Sequence, residues 1–229
     1  MKVIARIRNG FASKFGIPRQ SGLIPTAKSV IVFEPEYRNA QALRGLEDFS
    51  HLWLIWEFSL ARRDTWSPTV RPPRLGGNRR MGVFATRSPF RPNPIGLSCV
   101  KIEEIRWQTA NGPEIVVSGA DLMDGTPIYD IKPYLPYADC FPDAKGGFAA
   151  GEWERRVKVA CAEEWMRVIP KEHRQAVVDI LAQDPRPSYQ HDPERVYGME
   201  YAGMDIRFQV EGDTLTVKEI VKKPEGGAG

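Results

Sequence analysis

The sequence predicts a mainly β protein, in which an antiparallel β-barrel domain at residues 1–141 precedes a small α+β domain at residues 152–222. Three observations predict this organisation. Short β-rich segments divided by turn residues fill the first part, without the alternating helices that a parallel sheet needs. The stretch 142–151 is rich in Gly, which is typical of a linker. Beyond the linker, helical periodicity and a hairpin signal replace the regular run of strands.

The first elements follow from alternation and turn residues. Residues 2–8 alternate apolar and charged side chains, which predicts a half-buried strand, and the β-branched residues 29–33 predict a second strand. Gly and Pro make the intervening residues 11–25 a loop. Residues 39–49 predict a short helix with Asn39 as its cap. Residues 51–60 are nearly all apolar or aromatic, which predicts a strand buried on both faces.

The next stretch, residues 62–80, contains too much Pro, Gly and Arg for regular structure. A loop of this length in a compact chain is usually functional or disordered. Alternation and turn residues predict the remaining barrel strands at residues 82–85, 96–104, 114–120 and 126–134.

The C-terminal part combines helices with a hairpin. We predict a strand at residues 153–160 and helical structure at 162–183 with a break at Pro170. A proline-rich loop follows at 184–193. Residues 204–210 and 214–221 alternate around Gly212 and Asp213, which predicts a hairpin. The glycine-rich tail from Lys222 is expected to be disordered.

The charge of the chain is concentrated in one region. The formal net charge is only +3, but residues 61–91 hold eight arginines against the single Asp64, a local charge of +7. Such a surface attracts phosphate-rich partners, although an arginine-rich loop that only improves solubility is the alternative. The arginines are Arg62, Arg63, Arg71, Arg74, Arg79, Arg80, Arg87 and Arg91.

Composition also bears on the compartment. Three widely spaced cysteines argue against a disulfide framework and fit a reducing cytoplasm. No run approaches the 18 apolar residues of a membrane span, and the first residues lack the apolar core of a signal peptide. We therefore expect a cytoplasmic protein without a membrane partner.

Several common enzyme classes are excluded by spacing. Gly77 and Gly82 have the glycine offset of a P-loop, but Val83 and Phe84 stand where Lys and Ser or Thr are required. No G-x-G-x-x-G follows a strand, so a doubly wound dinucleotide fold has no support. The histidines are far apart and show no zinc spacing, and no G-x-S-x-G elbow exists. We expect no metal site.

Four loop segments combine rigid and polar residues, at 16–22, 71–82, 82–98 and 121–136. Proline-pinned loops lose little entropy when a ligand binds, so they can hold Arg, Asp and backbone groups in place. Each segment alone is accounted for by turns between strands. Four of them with embedded charges favour a binding site.

These segments also carry a resemblance. The strings PRQ (18–20), LEDFSHLW (46–53), RPPRLGGN (71–78), MGVFATRSPFRPNPIGLS (81–98), DLMDGTPIYDIKPYLPYAD (121–139) and AQDPRPSY (182–189) resemble the TsaA-like, or TrmO, tRNA methyltransferases. The resemblance runs in order from about residue 4 to 208. It implies a small β-barrel that binds S-adenosylmethionine, in a homodimer with the cofactor near the subunit interface. It further implies methyl transfer to N6 of N6-threonylcarbamoyladenosine at position 37 of threonine tRNA.

The resemblance implies particular cofactor contacts. By matching strings, these are Pro18, Arg19, Gln20, Ser59, Leu60, Arg87, Leu97, Asp124, Gly125, Thr126 and Pro127. One position departs from the family, because relatives commonly carry a histidine and a polar residue where this chain has Ser59 and Leu60. A contact made only through the backbone is the expectation there.

Methyl transfer needs a proton acceptor, because N6 loses its proton during or after attack. By their chemistry, the candidates are Asp121, Asp124, Asp130 and Tyr134. The threonyl carboxylate and the tRNA phosphates need cations. For these we consider Arg71, Arg74, Arg79, Arg80 and Arg91, with Lys132, Arg186 and Tyr189 adding backbone or stacking contacts. A structural role for Tyr189 in the small domain is the alternative.

Two other functions remain open at this point. A non-enzymatic RNA-binding barrel would use the arginines and leave the cofactor residues without a role. A methyltransferase that acts on a small molecule or a protein would leave the arginine-rich stretch, residues 61–91, without a role.

Overall fold

The structure is a computed structural model that describes residues 1–72, 79–150, 156–186, 190 and 192–223. In chain order, the strands of its N-terminal part are β1 (Ala5–Arg8), β2 (Lys28–Phe33), β3 (His51–Glu57), β4 (Thr69–Val70), β5 (Met81–Gly82), β6 (Ile95–Arg106), β7 (Glu114–Ser118) and β8 (Pro127–Pro133). Six of them close into an antiparallel barrel in the order β1-β2-β7-β6-β3-β8. The predicted antiparallel barrel is therefore confirmed.

Alternation along β1, β2 and β3 places apolar side chains inside the barrel. Ile7 of β1, Ile31 of β2 and Leu52 and Leu54 of β3 are fully buried, while their neighbours in sequence face outward. Side chains of a strand alternate between its two faces, so one apolar residue in two is enough to build the core. The register shifts between Ile102 and Glu104, where β6 runs against β7.

Three predictions about this part were wrong in detail. The strand after residue 50 ends at Glu57, and its outward face is only half-buried because that face forms the barrel wall. The expected helix at 39–49 is two short 3-10 turns, divided by Gly45 at a φ of +86°. Asn39 does cap the first turn, accepting the backbone N–H of Gln41. Instead of a strand at 82–85, β5 pairs with β4 and a 3-10 turn follows at Val83–Ala85.

The C-terminal part is an α+β unit, as predicted. The short helix α1 (Pro136–Asp139) ends the N-terminal part, where Asp139 accepts a hydrogen bond from Trp53 of β3. The elements of the C-terminal part are β9 (Lys158–Ala160), α2 (Glu163–Val168), α3 (Arg174–Ala182), β10 (Tyr197–Tyr201), β11 (Met204–Glu211) and β12 (Thr214–Lys222). The sheet has the order β10-β11-β12-β9. The break at Pro170 and the hairpin at Gly212 are both confirmed. Strand β10 was missed because Gly198 weakens an already short alternation.

Three of the predicted segments lie partly outside the described residues. Parts of the predicted strand at 153–160 and of the proline-rich loop lie outside the described residues, as does most of the predicted disordered tail. Of the predicted strand, residues 158–160 are in β9.

The loop between β1 and β2 is packed against the C-terminal unit. Phe11, Ile24 and Ala27 are buried in the same apolar cluster as Phe208 of β11. Thr26 Oγ1 donates a hydrogen bond of 2.6 Å to Asp179 Oδ2 on α3. The C-terminal sheet and helix therefore fix the course of the loop that carries residues 18–20.

Candidate functional site

A cavity of about 850 Å³ lies beside the end of β3. Its walls come from four segments that are distant in sequence: residues 14–20, 56–61, 84–97 and 121–126. Small-molecule sites typically have this volume and combine apolar walls with a few convergent polar groups. Gly96 makes room for one wall, because a Cβ there would stand 2.2 Å from the indole of Trp56.

The cavity brings together most of the residues that the sequence indicated for a cofactor. Those that line it are Pro18, Arg19, Gln20, Ser59, Leu60, Arg87, Leu97 and Thr126. Asp124, Gly125 and Pro127 do not line it. Asp124 instead accepts the backbone N–H of Asn9 at 2.9 Å, and Gly125 donates its N–H to the carbonyl of Ile7 at 2.9 Å. Their turn braces β1 against β8.

A hydrogen-bonded chain leads into the cavity from the barrel core. Trp56 Nε1 donates to Ser98 Oγ at 2.9 Å, and Ser98 Oγ donates to Asp121 Oδ1. Ser98 is fully buried, so this chain fixes the direction of its hydroxyl. Of the four proton-acceptor candidates, Asp121 is the one that lines the cavity.

Burial raises the pKa of Asp121 above the ordinary value of 3.8. The hydrogen bond from Ser98, the charge of Arg87 and the backbone N–H of Ser21 oppose this change. Desolvation outweighs them because a carboxylate loses more solvation on burial than these contacts return. The result is a carboxyl group that takes up a proton more readily than an exposed aspartate.

The other three candidates lie elsewhere. Asp130 is on β8 and forms an ion pair of 3.0 Å with Lys132. Tyr134 packs at a ring distance of 6.0 Å from Trp53, and desolvation raises the pKa of its hydroxyl. Asp124 is held by Asn9 and by Arg8, the latter at 3.4 Å. None of these three residues lines the cavity.

Donors from two loops meet on one side of the cavity. Arg87 Nη1 donates a hydrogen bond to Gln20 Oε1, which joins two predicted cofactor residues. Arg19 Nη2 donates to the carbonyl oxygen of Asp184 at 3.4 Å, so the same loop also contacts the C-terminal unit. Arginine forks of this kind suit a carboxylate ligand.

A second buried carboxylate in the cavity wall was missed from the sequence. Glu57 is 5% exposed, receives two hydrogen bonds from Arg62 and a third from the hydroxyl of Tyr129. These contacts hold the turn Ser59–Ala61 against the end of β3. The available signal was a lone acidic residue at the end of an apolar strand, which needs a partner when buried.

A wider cleft of about 1760 Å³ adjoins this cavity and shares Arg19, Gln20, Arg87 and Arg91 with it. Of the residues indicated for substrate binding, it is lined by Arg71, Arg79, Arg80, Arg91 and Arg186. Ten basic side chains line the cleft, and none of its described lining residues is acidic. Arg74 and Tyr189 lie outside the described residues, and Lys132 is on the barrel surface away from the cleft.

Arg186 differs from the other cleft arginines. It is 8% exposed, and Nε and Nη2 donate to the two carboxylate oxygens of Asp184 at 2.8 and 2.9 Å. Because this guanidinium is buried and two of its nitrogens already donate to Asp184, it has few donors left for a phosphate. Its assignment to the substrate stays a prediction, and the geometry favours a role in bracing the loop that receives Arg19.

Exposed aromatic rings accompany the basic residues. Trp66, Phe84 and Phe90 line the cleft, and the guanidinium of Arg63 lies 3.9 Å above the ring of Phe90.

Among the described residues, no helix is long and apolar enough to cross a membrane. In the same part of the chain, no three His, Cys, Asp or Glu residues are grouped so as to hold a metal ion.

Comparison with known proteins matches both parts of the chain. The family profile of the tRNA-methyltransferase O N-terminal domain matches residues 6–140, and that of the TrmO C-terminal domain matches residues 152–223. An Escherichia coli protein named tRNA (adenine(37)-N6)-methyltransferase is 42% identical over 215 residues, covering 90% of this chain and 91% of its own. A Pseudomonas aeruginosa protein named putative S-adenosylmethionine-dependent methyltransferase RcsF is 43% identical over 217 residues, covering 90% of both chains.

Solved structures agree with these sequence matches. A crystal structure of TrmO from Pseudomonas aeruginosa superposes with a TM-score of 0.74 at 34% identity, covering 96% of this chain and 98% of that one. The fold of both parts of the chain thus has a counterpart in a solved TrmO structure.

Proposed function

This chain belongs to the tRNA-methyltransferase O family, and we propose that it transfers a methyl group from S-adenosylmethionine to N6 of adenosine 37 in tRNA. The observation that carries the proposal is that the cavity and the basic cleft adjoin each other. A cofactor-sized cavity with polar and apolar walls adjoins a cleft lined by ten basic and no acidic described residues. A nucleotide held in the cleft can reach a group bound in the cavity.

The chemistry of the cavity fits S-adenosylmethionine. Arg19, Gln20 and Arg87 supply donors for a carboxylate. Leu60, Leu97 and Trp56 supply apolar surface. When bound, S-adenosylmethionine provides an electrophilic methyl group on a positively charged sulfur.

We assign the remaining chemistry to the residues of this chain. The cleft arginines hold the phosphates and orient the target adenosine, and positioning alone accounts for much of the rate of such a transfer. Asp121 accepts the proton that N6 loses, and its raised pKa brings it closer to the operating pH than an exposed aspartate. Ser98 and Trp56 hold the carboxylate in place through their hydrogen bonds.

The same charges indicate which modified adenosine the protein acts on. We propose N6-threonylcarbamoyladenosine in threonine tRNA, because the threonyl group adds a carboxylate beside N6. Three arginines line both the cavity and the cleft, and two of them, Arg19 and Arg87, are assigned to the cofactor. Arg91 is therefore the arginine that remains at this junction for the threonyl carboxylate. Arg71, Arg79 and Arg80 then remain for phosphates.

We also propose a cytoplasmic homodimer. Leu60 and Leu97 line the cavity but are 61% and 54% exposed, so one wall is open to solvent. A second subunit placed there would bury these side chains and complete the site. Within each subunit, residues 1–141 would hold the cofactor and residues 152–222 would brace the loop carrying Arg19 and Gln20.

The test is methylation of tRNA by the purified protein. tRNA from cells that lack the homologous activity is incubated with S-adenosylmethionine carrying a labelled methyl group, and the nucleosides are analysed by mass spectrometry. We expect label on N6 of the modified adenosine 37 in threonine tRNA, and none on tRNA lacking the threonylcarbamoyl group. Label on unmodified adenosine 37 would show that the enzyme does not require the threonylcarbamoyl group. Absence of label from every tRNA, with S-adenosylmethionine bound, would contradict the reaction.

A further inference from the structure

Three aromatic side chains stand exposed at the mouth of the basic cleft. Trp66, Phe84 and Phe90 are 53%, 73% and 42% exposed. The rings of Trp66 and Phe84 lie 6.1 Å apart, tilted by 34°. Single exposed aromatics are common on proteins, whereas a group of them in one concave site marks a binding surface.

Their surroundings indicate the kind of partner. The described residues that line the cleft include ten with basic side chains and none with acidic ones. A protein or a second copy of the chain covering this surface would have to desolvate those cations without acidic partners from within the cleft. A polyanion with flat apolar groups satisfies both the charges and the rings. Single-stranded nucleic acid has this combination, because its phosphates pair with arginines and its unpaired bases stack on aromatics.

We propose that Trp66, Phe84 and Phe90 form a stacking platform for unpaired bases of the anticodon loop that flank the target adenosine. The inference rests on the proposed function and adds a recognition mode to it. Bases within a stem are already stacked and paired, so the platform selects a loop over a helix. Arg63 extends the platform, since its guanidinium lies over the Phe90 ring, 3.9 Å from the ring centre.

The test compares Trp66→Ala and Phe84→Ala with the aromatic replacements Trp66→Phe and Phe84→Tyr. Trp107→Ala is the matched control, because Trp107 is also exposed, at 40%, but does not line the cleft. Dissociation constants are measured for a threonine-tRNA anticodon stem-loop and for a fully paired RNA hairpin of equal length. Each stacked base is worth ~1–3 kcal/mol, so each alanine variant should bind the stem-loop roughly 5- to 150-fold more weakly. The aromatic replacements should restore most of the affinity.

Further readouts separate this contact from the others. The salt dependence of binding should keep its slope, since no phosphate contact is lost. In the Trp66 variants, S-adenosylmethionine affinity and the melting temperature should stay at wild-type values, because Trp66 lines the cleft and not the cofactor cavity. Phe84 lines both spaces, so an unchanged melting temperature is the evidence that its variants are folded. Unchanged stem-loop affinity in both alanine variants would overturn the platform, even while the wild-type protein still methylates tRNA. A shift in oligomeric state in Trp66→Ala would overturn it too, because the occupant would then be a second copy.

Discussion

Replacing Asp121 by asparagine tests the proposed proton acceptor. Asparagine has nearly the same shape, and its Oδ1 can still accept the hydrogen bond from Ser98. The wall of the cavity therefore keeps its form while the group loses its ability to take a proton. Loss of a positioned general base typically lowers the rate about 10²- to 10⁴-fold. We expect kcat to fall by this factor and the dissociation constant of S-adenosylmethionine to change little.

The pH dependence gives an independent readout. The wild-type rate should fall as the pH drops through the pKa of Asp121, and burial places that fall above the 3.8 of an ordinary aspartate. Asp121→Asn should lack this acidic limb. Between 3.8 and the raised pKa, the folded state holds a proton that the unfolded chain has lost, so wild-type stability decreases as pH rises through this interval. Asparagine avoids that loss, and the variant should melt at an equal or higher temperature at neutral pH.

The assays are single-turnover methylation, calorimetry with S-adenosylmethionine and thermal melting, each over a range of pH. Asp130→Asn is the matched control, because Asp130 is a half-exposed carboxylate on β8 that does not line the cavity. A rate for Asp121→Asn within about threefold of wild type would refute the general-base assignment. A large loss of cofactor affinity with an unchanged single-turnover rate at saturation would show that the carboxylate serves the cofactor instead.

Three further results are expected. Arg87→Ala should weaken S-adenosylmethionine binding by about 1–3 kcal/mol in calorimetry, because a charged hydrogen-bond donor is lost from the cavity, and an unchanged affinity would remove Arg87 from the site. Arg79→Ala should weaken tRNA binding and reduce the slope of log affinity against log salt by about 0.7–0.9. Arg106→Ala, an arginine outside the cleft, should not do so, and equal slopes in the two variants would leave the cleft without a phosphate role. The wild-type protein should sediment at twice its mass of 25.9 kDa and Leu97→Asp as a monomer with impaired cofactor binding; a fully active wild-type monomer would contradict the dimer.

The barrel was predictable because its signal is local. Strands such as β1 and β2 bury one residue in two, and that alternation is visible without knowledge of their neighbours. The error over residues 51–60 has the same origin. The sequence does not show whether the apolar and aromatic residues on the outward face of β3 are fully buried or only half-buried, because the residue types are the same in both cases.

The site was predictable only where resemblance supplied the residues. Pro18, Arg19 and Gln20 have no alternation or spacing that would bring them to Arg87, because packing against the C-terminal sheet determines where their loop goes. Likewise, no local pattern joins Asp121, in the loop after β7, to Ser98 on β6, 23 positions earlier. Such pairs depend on barrel closure and register, which a single sequence does not state.

The packing of the first loop against the last sheet has a consequence for how the protein matures on the ribosome. Phe11 and Ile24 belong to a cluster completed by Phe208 and Leu215. The loop between β1 and β2 is synthesised early, but it can pack in its final position only after β11 and β12 have been synthesised. Domains usually fold in order as they emerge, but here the barrel can close while Arg19 and Gln20 still lack the surface that positions them. A nascent chain would gain its cofactor site only after β10 to β12 have left the exit tunnel, so translation that stops early releases a barrel without a finished site.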